Sequence, residues 1–91
     1  MISIENRHHG PPPGDGLYRV YVGRPSPYGN PYTIGRDGSR EEVIERYREW
    51  LTDELVGRLY RQRPDVLVCW CAPQACHAEV LVERLEARSR A

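Results

Sequence analysis

One short segment of the chain, from residue 69 to residue 77, holds all three cysteines and one of the three histidines. These residues form a Cys3His set, the ligand type of structural zinc, although their spacing is tighter than in the usual zinc knuckle: Cys69, Cys71, Cys76 and His77. Cys76 and His77 alone have the residue types of a thiol and imidazole catalytic pair. A disulfide between Cys71 and Cys76 would instead form a redox switch. Cys69 also fits a small buried core residue, so several interpretations stay open.

The residues before and between the cysteines predict a buried strand. Val66 to Val68 form an apolar run that is typical of a strand covered on both faces. Because alternate residues of a strand share a face, Cys69 and Cys71 should point the same way and Trp70 the other way. Pro73 has no backbone N–H to donate, and it should end the strand.

A helix should begin where the same segment ends. Apolar residues recur at helical spacing from Ala78 to Leu85, which predicts a helix from about Cys76 to Arg88. Cys76 and His77 would lie in its first turn. There, unpaired backbone N–H groups and the positive end of the helix dipole favour a thiolate. The segment from 69 to 77 should therefore bring three sulfur atoms and an imidazole to one corner of the fold.

A second candidate site lies in the loop from 23 to 38. It follows an aromatic and β-branched run, Leu17 to Val22, which predicts a strand. Prolines fix the backbone of this loop, glycines permit close approach, and polar side chains supply donors. The loop is either a proline-rich turn or a ligand loop for an anion at the carboxyl end of a strand. The residues that we expect to contact such a ligand are Gly23, Arg24, Ser26, Tyr28, Gly29, Asn30, Tyr32 and Cys71.

Two helices should connect this loop to the cysteine strand. Ser39 and Glu42 match a capping box, and a stripe of apolar residues follows from Val43 to Leu51. A shorter helix should begin at Thr52 and end near Arg63. A strand, a helical crossover and a second strand form a right-handed βαβ unit, so the two strands should be parallel.

Parallel strands end on the same side of a sheet, so the loop from 23 to 38 and the turn from 69 to 77 should share one rim. Ile2 to Glu5 would add an edge strand. A proline and glycine loop spans 7–16, where His8 and His9 are either exposed polar residues or supplementary ligands. Residues 1–91 are thus predicted to form a single small α/β domain, with two or three mainly parallel strands and two or three helices in the order βαβα. The residues expected to meet in one pocket are Arg24, Ser26, Asn30, Cys71, Cys76 and His77.

The amino-acid composition argues against some classes of function. Thirteen basic residues, all arginine, balance thirteen acidic ones. This balance argues against a nucleic-acid binder that is driven by charge, and the absence of lysine excludes a lysine Schiff base. The first residues contain no apolar run long enough for a signal peptide or a membrane span. We therefore expect a reduced, cytoplasmic protein, and a chain this small would gain from a second copy as a homodimer.

Two motifs carry a family resemblance. Gly-Arg-Pro-Ser-Pro-x-Gly-Asn-Pro from 23 to 31 and Cys-Trp-Cys-Ala-Pro-x-x-Cys-His from 69 to 77 are similar to those of small phage and bacterial proteins known as domain of unknown function 4326. The resemblance covers about 6–85. It implies a phage or bacterial host context and leaves the activity unspecified. It also implies that these residues are family motif positions: Gly23, Arg24, Gly29, Asn30, Pro31, Cys69, Trp70, Cys71, Pro73, Cys76 and His77.

The chain departs from the family pattern at two positions. Tyr32 stands where phenylalanine is usual, and Ala78 stands where glycine often follows the histidine. A methyl group at position 78 would narrow the approach to the helix terminus, which weakens the case for a bare backbone phosphate cradle there.

From these observations we expect a rim pocket for an anionic, nucleotide-derived small molecule that the protein transforms or sequesters. Arg24 would pair with phosphate, while Ser26 and the backbone from 29 to 30 would add hydrogen bonds. Tyr28 or Tyr32 would stack on a base. If the protein is an enzyme, Cys76 and His77 would support a thiol- and imidazole-dependent transfer or hydrolysis.

The alternative is a zinc-stabilised protein-interaction module without catalysis. Zinc would then be the cofactor, and its ligands would be Cys69, Cys71, Cys76 and His77. An accessory factor that binds DNA or protein is a third hypothesis, which the zero net charge disfavours.

Overall fold

The computed structural model describes residues 2–6, 14, 16–70 and 76–90. The elements follow in the order β1 (Ser3–Asn6), β2 (Arg19–Tyr21), α1 (Arg40–Trp50), α2 (Asp53–Arg61), β3 (Val66–Cys69) and α3 (His77–Arg90). The predicted α/β class is confirmed, with three helices and a three-stranded parallel sheet in this part of the chain. The observed order is compatible with the predicted βαβα, and it includes both the edge strand and the second crossover helix that the sequence predicted.

β3 is the central strand, and it pairs in parallel with β1 on one side and with β2 on the other. The register places Leu67 opposite both Ile4 and Val20, so these apolar side chains share one face of the sheet. Cys69 lies two positions after Leu67, and therefore on the same face. The parallel pairing of β2 with β3, which the helical crossover predicted, is confirmed.

β2 is shorter than the run from Leu17 to Val22 that predicted it, but hydrogen bonds to the β3 segment extend past both of its ends. The carbonyl of Tyr18 accepts from the N–H groups of Asp65 (2.9 Å) and Val66 (3.2 Å). At the other end, the N–H of Val22 donates to Val68 (2.9 Å). The chain is thus held in line with the central strand up to the residue before the glycine and proline loop.

The predicted caps of α1 and α2 are present. Ser39 accepts from the N–H of Glu42 (3.2 Å) and donates its own N–H to the Glu42 carboxylate (2.9 Å), which completes a capping box. Thr52 caps α2 through the N–H of Leu55 (3.2 Å). α2 ends at Arg61, close to the predicted end.

α3 begins at His77, one residue later than predicted, so Cys76 precedes the first turn instead of lying in it. The carboxylate of Glu79 accepts a hydrogen bond from the Cys76 N–H (2.9 Å). This contact is the one that a glutamate at the third helical position makes with a cap residue. The backbone N–H of Cys76, at the N-terminus of the helix, is therefore already hydrogen-bonded to a carboxylate of the protein.

α3 packs against β1 and β3 on the sheet and against α1 and α2 at its sides. Ion pairs join it to α1 through Arg48 and Glu83, and to α2 through Arg84 and Asp53. Exposed pairs of this kind contribute little, about 0 to 1 kcal/mol, so the buried side chains hold the layers together. No described helix is long and apolar enough to span a membrane. The buried cluster comprises Val20, Val22, Tyr28, Tyr47, Leu51, Val56, Leu59, Leu67, Cys69, Cys76, Ala78, Val80, Leu81 and Leu85.

Candidate functional site

A cavity of about 240 Å³ opens at the carboxyl end of the sheet. This volume lies just below the range for small-molecule sites, roughly 300 to 1,000 Å³. Residues from the loop after β2 and from the start of α3 line the same cavity, so the two segments share one rim. The lining residues are Gly23, Arg24, Asn30, Tyr32, Thr33, Ile34, Arg40, Val43, Ile44, Trp70, Cys76 and His77.

The residues selected from sequence divide into three groups. Six of them line the cavity: Gly23, Arg24, Asn30, Tyr32, Cys76 and His77. Ser26, Tyr28, Gly29 and Cys69 are described but are not among the lining residues. Cys71 lies outside the described residues, as do Pro73, His8 and His9. Tyr21 and Thr33 were not predicted from the sequence as site residues. Trp70 was identified as a family motif position, but no role was predicted for it.

Tyr28 is a core residue and not a platform for a ligand. Its side chain is only 4% exposed, and its hydroxyl accepts a hydrogen bond from Gln62 (2.9 Å). Its carbonyl accepts another from the hydroxyl of the fully buried Tyr47 (2.6 Å), whose pKa burial raises well above the usual range. Of the two tyrosines predicted to stack on a base, Tyr32 lines the cavity and Tyr28 does not.

Ser26 and Gly29 shape the loop. The N–H of Ser26 donates to Gly23 (2.9 Å), the N–H of Gly29 donates to Ser26 (3.0 Å), and the Ser26 hydroxyl accepts from Tyr28 (3.3 Å). A Cβ at Gly29 would lie 3.0 Å from both the Cα and the backbone N of Arg24, a distance that real Cβ contacts rarely reach. Gly29 thus lets the loop fold back tightly against Arg24.

Asn30 clamps the loop to α1. Its amide nitrogen donates to the carbonyl of Val43 (3.1 Å), and its Oδ1 accepts from the N–H of Tyr32 (2.9 Å). Because both the amide nitrogen and the oxygen of this buried side chain are hydrogen-bonded within the protein, Asn30 fixes the wall of the cavity.

Arg24 extends into an exposed position, where one guanidinium nitrogen donates to the hydroxyl of Thr33 (3.3 Å). Within the described residues, no carboxylate lies within ion-pair distance of it. The other charged residue of the wall is Arg40, and no acidic residue is among the lining residues. The charged residues of the described wall are therefore both arginines, although the whole chain has no net charge.

A chain of hydrogen bonds fixes the backbone of Arg24 to the ends of the strands. The hydroxyl of Tyr21 donates to the Arg24 carbonyl (2.6 Å) and accepts from the indole N–H of Trp70 (2.6 Å). The amide of Asn6 donates to the Trp70 carbonyl (3.0 Å). Gly23 is required here because a Cβ would lie 2.5 Å from the Tyr21 hydroxyl. All three strand ends thus contribute to the position of one arginine.

His77 is a buried histidine at the start of α3, 8% exposed. Its Nε2 lies 2.7 Å from the carbonyl of Val22, so Nε2 carries the proton and the neutral ring keeps a lone pair on Nδ1. Its ring packs edge-on against Tyr47, with 5.1 Å between centroids. Burial lowers the pKa of His77, the Arg24 guanidinium lowers it further, and the hydrogen bond to Val22 opposes both effects.

The thiols of Cys69 and Cys76 are buried, with 3.2 Å between their Sγ atoms. The hydrogen bond of the His77 ring goes to Val22 and not to the Cys76 thiol, so the structure does not form the thiol and imidazole pair. The described residues contain no group of three or more side chains able to hold a metal ion. Cys71 is outside them, and the Cys3His zinc set therefore stays a prediction.

A second cavity, of about 450 Å³, lies at the amino ends of the strands. Its described charged residues are of both signs: Arg63, Asp65 and Glu86. The mixed charge distinguishes it from the cavity at the carboxyl end.

A family profile described as "Domain of unknown function (DUF4326)" matches residues 6–87 of the chain. The chain belongs to the DUF4326 family. Comparison with curated proteins and with solved structures finds no match. The matched DUF4326 region contains every described residue that lines the cavity at the carboxyl end, together with β2, β3, α1, α2 and most of α3.

We predict that Gly29→Ala destabilises the protein by about 1 to 3 kcal/mol, because the methyl group meets the backbone of Arg24. Gly14→Ala is the matched control, since nothing lies within 4 Å of a Cβ there. It should be neutral or slightly stabilising. Urea unfolding measures both variants, and equal stability for the two would contradict the close packing of the loop against Arg24.

We predict that the free energy of unfolding falls as the pH is lowered from about 6.5 to 5. The unfolded chain takes up a proton at His77 near pH 6.5, whereas the folded protein, with its lowered pKa, does so only at lower pH. The unfolded state therefore binds more protons in this window, so stability rises with pH there and levels off above it. His77→Gln should flatten the slope. Asp37 and Glu42 have lowered pKa values and titrate below this window, and an unchanged slope in His77→Gln would contradict the assignment.

Proposed function

We propose that the cavity at the carboxyl end of the sheet binds a small anionic ligand, and that a nucleotide-derived phosphate ester is the class that fits it best. The observation that carries this proposal is the exposed guanidinium of Arg24, which has no carboxylate partner among the described residues. A planar guanidinium presents paired N–H donors that match phosphate and carboxylate oxygens. Arg40 adds a second positive charge to the same wall.

The position of Arg24 supports binding because its backbone is already fixed. Tyr21 holds its carbonyl, and Gly29 packs against its Cα. A side chain on a fixed backbone loses less conformational entropy when a ligand arrives, which leaves more of the interaction energy as affinity. The hydroxyl of Thr33 already orients one nitrogen of the guanidinium.

Aromatic side chains next to the arginines favour a ligand with a heterocyclic base. Tyr32 and Trp70 both line the cavity, and Trp70 is 47% exposed. The guanidinium of Arg46 lies 5.8 Å from the centroid of the Tyr32 ring, a cation–π contact that steadies the ring. Stacking of a base on such rings contributes about 1 to 3 kcal/mol in single-strand binding proteins. The small volume favours a mononucleotide-sized ligand over a polynucleotide.

The geometry favours recognition or sequestration over a thiol-dependent reaction. The Cys76 sulfur lies against Cys69 and His77 donates to Val22, so the imidazole does not activate the Cys76 thiol through Nε2. The neutral Nδ1 of His77 is the remaining acceptor for a ligand donor. We propose that this recognition takes place in the reducing cytoplasm of a bacterium or a phage-infected cell.

We predict that nucleoside monophosphates bind more tightly than the corresponding nucleosides, and that Arg24→Ala weakens this binding by about 1.5 to 3 kcal/mol, the range for a charged hydrogen bond. Arg24→Lys should restore only part of the affinity, because a point charge does not reproduce the paired donors. Isothermal titration calorimetry with a nucleoside monophosphate panel and with inorganic phosphate measures the effect. Arg58→Ala, an exposed arginine of α2 away from the cavity, is the control.

The result is interpreted together with thermal melting of each variant. Lost stability with unchanged affinity in Arg24→Ala would show that Arg24 supports the loop and not a ligand. No binding of any phosphate compound by the unmodified protein would contradict the proposal as a whole.

The alternative proposal is a zinc-stabilised interaction module, which the 3.2 Å approach of the Cys69 and Cys76 sulfur atoms favours. Native mass spectrometry of freshly purified protein should then show one bound zinc ion, and a chelator should lower the melting temperature because metal binding energy is folding energy. A metal content near zero would contradict this alternative. The same spectrum reports the number of subunits.

A further inference from the structure

The Cys69 and Cys76 thiols meet at the junction between the sheet and α3. Cys69 is the last residue of β3 and pairs in register with Asn6, whereas Cys76 immediately precedes α3 and is held there by Glu79. Their Sγ atoms lie 3.2 Å apart. A disulfide bond has a length of about 2.05 Å, so a shift of about one ångström would bring the two sulfur atoms to bonding distance.

The two thiols differ in their access to solvent. Cys76 lines the cavity at the carboxyl end and is 4% exposed, while Cys69 is fully buried and is not a lining residue. An oxidant small enough to enter the cavity therefore meets Cys76 first. Cys69 lies farther from the cavity than Cys76, and its thiol is close enough to react with an oxidised Cys76 in a second step.

We propose that Cys69 and Cys76 are a hydroperoxide-reactive thiol pair that closes to a disulfide. Cys76, as thiolate, attacks one oxygen of hydrogen peroxide; the O–O bond breaks, the second oxygen leaves as water after gaining a proton, and Cys76 becomes a sulfenic acid. The Cys69 sulfur then loses its proton and attacks the Cys76 sulfur. An S–S bond forms, the S–O bond breaks and a second water leaves, so two thiols are oxidised and one peroxide is reduced.

This inference does not depend on what the cavity binds. The pair is formed by two residues with six others between them in the chain. The Cys71 and Cys76 pair suggested by the sequence includes a residue outside the described ones, and it stays a prediction. Because Cys76 is part of the cavity wall, the disulfide changes the wall and joins the end of β3 covalently to the start of α3.

The first test is mass spectrometry of the purified protein after treatment with one to a few equivalents of hydrogen peroxide, with remaining thiols alkylated in denaturant. We expect a mass loss of about 2 Da before alkylation, the two hydrogen atoms of one disulfide. Chymotryptic cleavage after Trp70 separates Cys69 from Cys71 and Cys76, so a Cys69 disulfide links the two peptides. The Cys71→Ser protein should form the same link. Unlinked peptides, or loss of the link in Cys71→Ser, would overturn the assignment.

The second test uses the difference in access. In Cys69→Ala the second step is blocked, so peroxide should leave a sulfenic acid on Cys76 that dimedone traps. In Cys76→Ala, Cys69 should gain no dimedone adduct, because it is buried. Melting curves establish that both variants fold, and the wild-type peptide map remains decisive if one does not. An adduct on Cys69 in Cys76→Ala, or none on Cys76 in Cys69→Ala, would contradict the proposed order.

Discussion

The hydrogen bond between the His77 imidazole and the Val22 carbonyl, 2.7 Å long, connects two segments that lie 55 positions apart in sequence. Val22 is the residue that leaves the sheet, and His77 is the residue that starts α3. Both are buried, and an unsatisfied carbonyl in that place would cost about 1 to 3 kcal/mol. This contact keeps the loop after β2 and the start of α3 together. The cavity exists only while they stay together.

The same contact determines what the cavity can do. Because Nε2 donates to Val22, the imidazole is held in one tautomer and is not available to Cys76 through that nitrogen. Burial and the neighbouring Arg24 keep the ring neutral by lowering its pKa. The positive charge of the wall therefore comes from arginine, whose charge does not depend on pH in the physiological range. The proposed binding of an anion would therefore not require the uptake of a proton.

Much of the fold could be predicted because its signals are local. A continuous apolar run located β3, apolar residues at helical spacing located α3, and the Ser39 and Glu42 spacing located the start of α1. Parallel pairing followed from the length of the crossover. Loop 23–38 and residues 76–77 were correctly selected as segments that line one cavity, since parallel strands place their following loops on one side.

The roles of individual residues were harder to predict, because they depend on contacts distant in sequence. Tyr28 has the loop surroundings of an exposed aromatic residue, yet its hydroxyl bonds to Gln62, 34 positions away. Strand alternation related Cys69 to Cys71, whereas the packing of α3 on the sheet places Cys76 next to Cys69. Tyr21 looked like an ordinary strand residue. Its support of Arg24 becomes visible only when Trp70 is placed beside it.

The most direct test of the account is to locate binding by nuclear magnetic resonance. Isotope-labelled protein would be titrated with a nucleoside monophosphate, and chemical shifts of backbone amides and arginine side chains would be followed. The account predicts saturable shifts in the loop from 23 to 34, at the Arg24 and Arg40 side chains and at residues 76 and 77, and smaller changes elsewhere. Shifts concentrated around Arg63 and Glu86 in the second cavity, or no saturable shift at all, would contradict it.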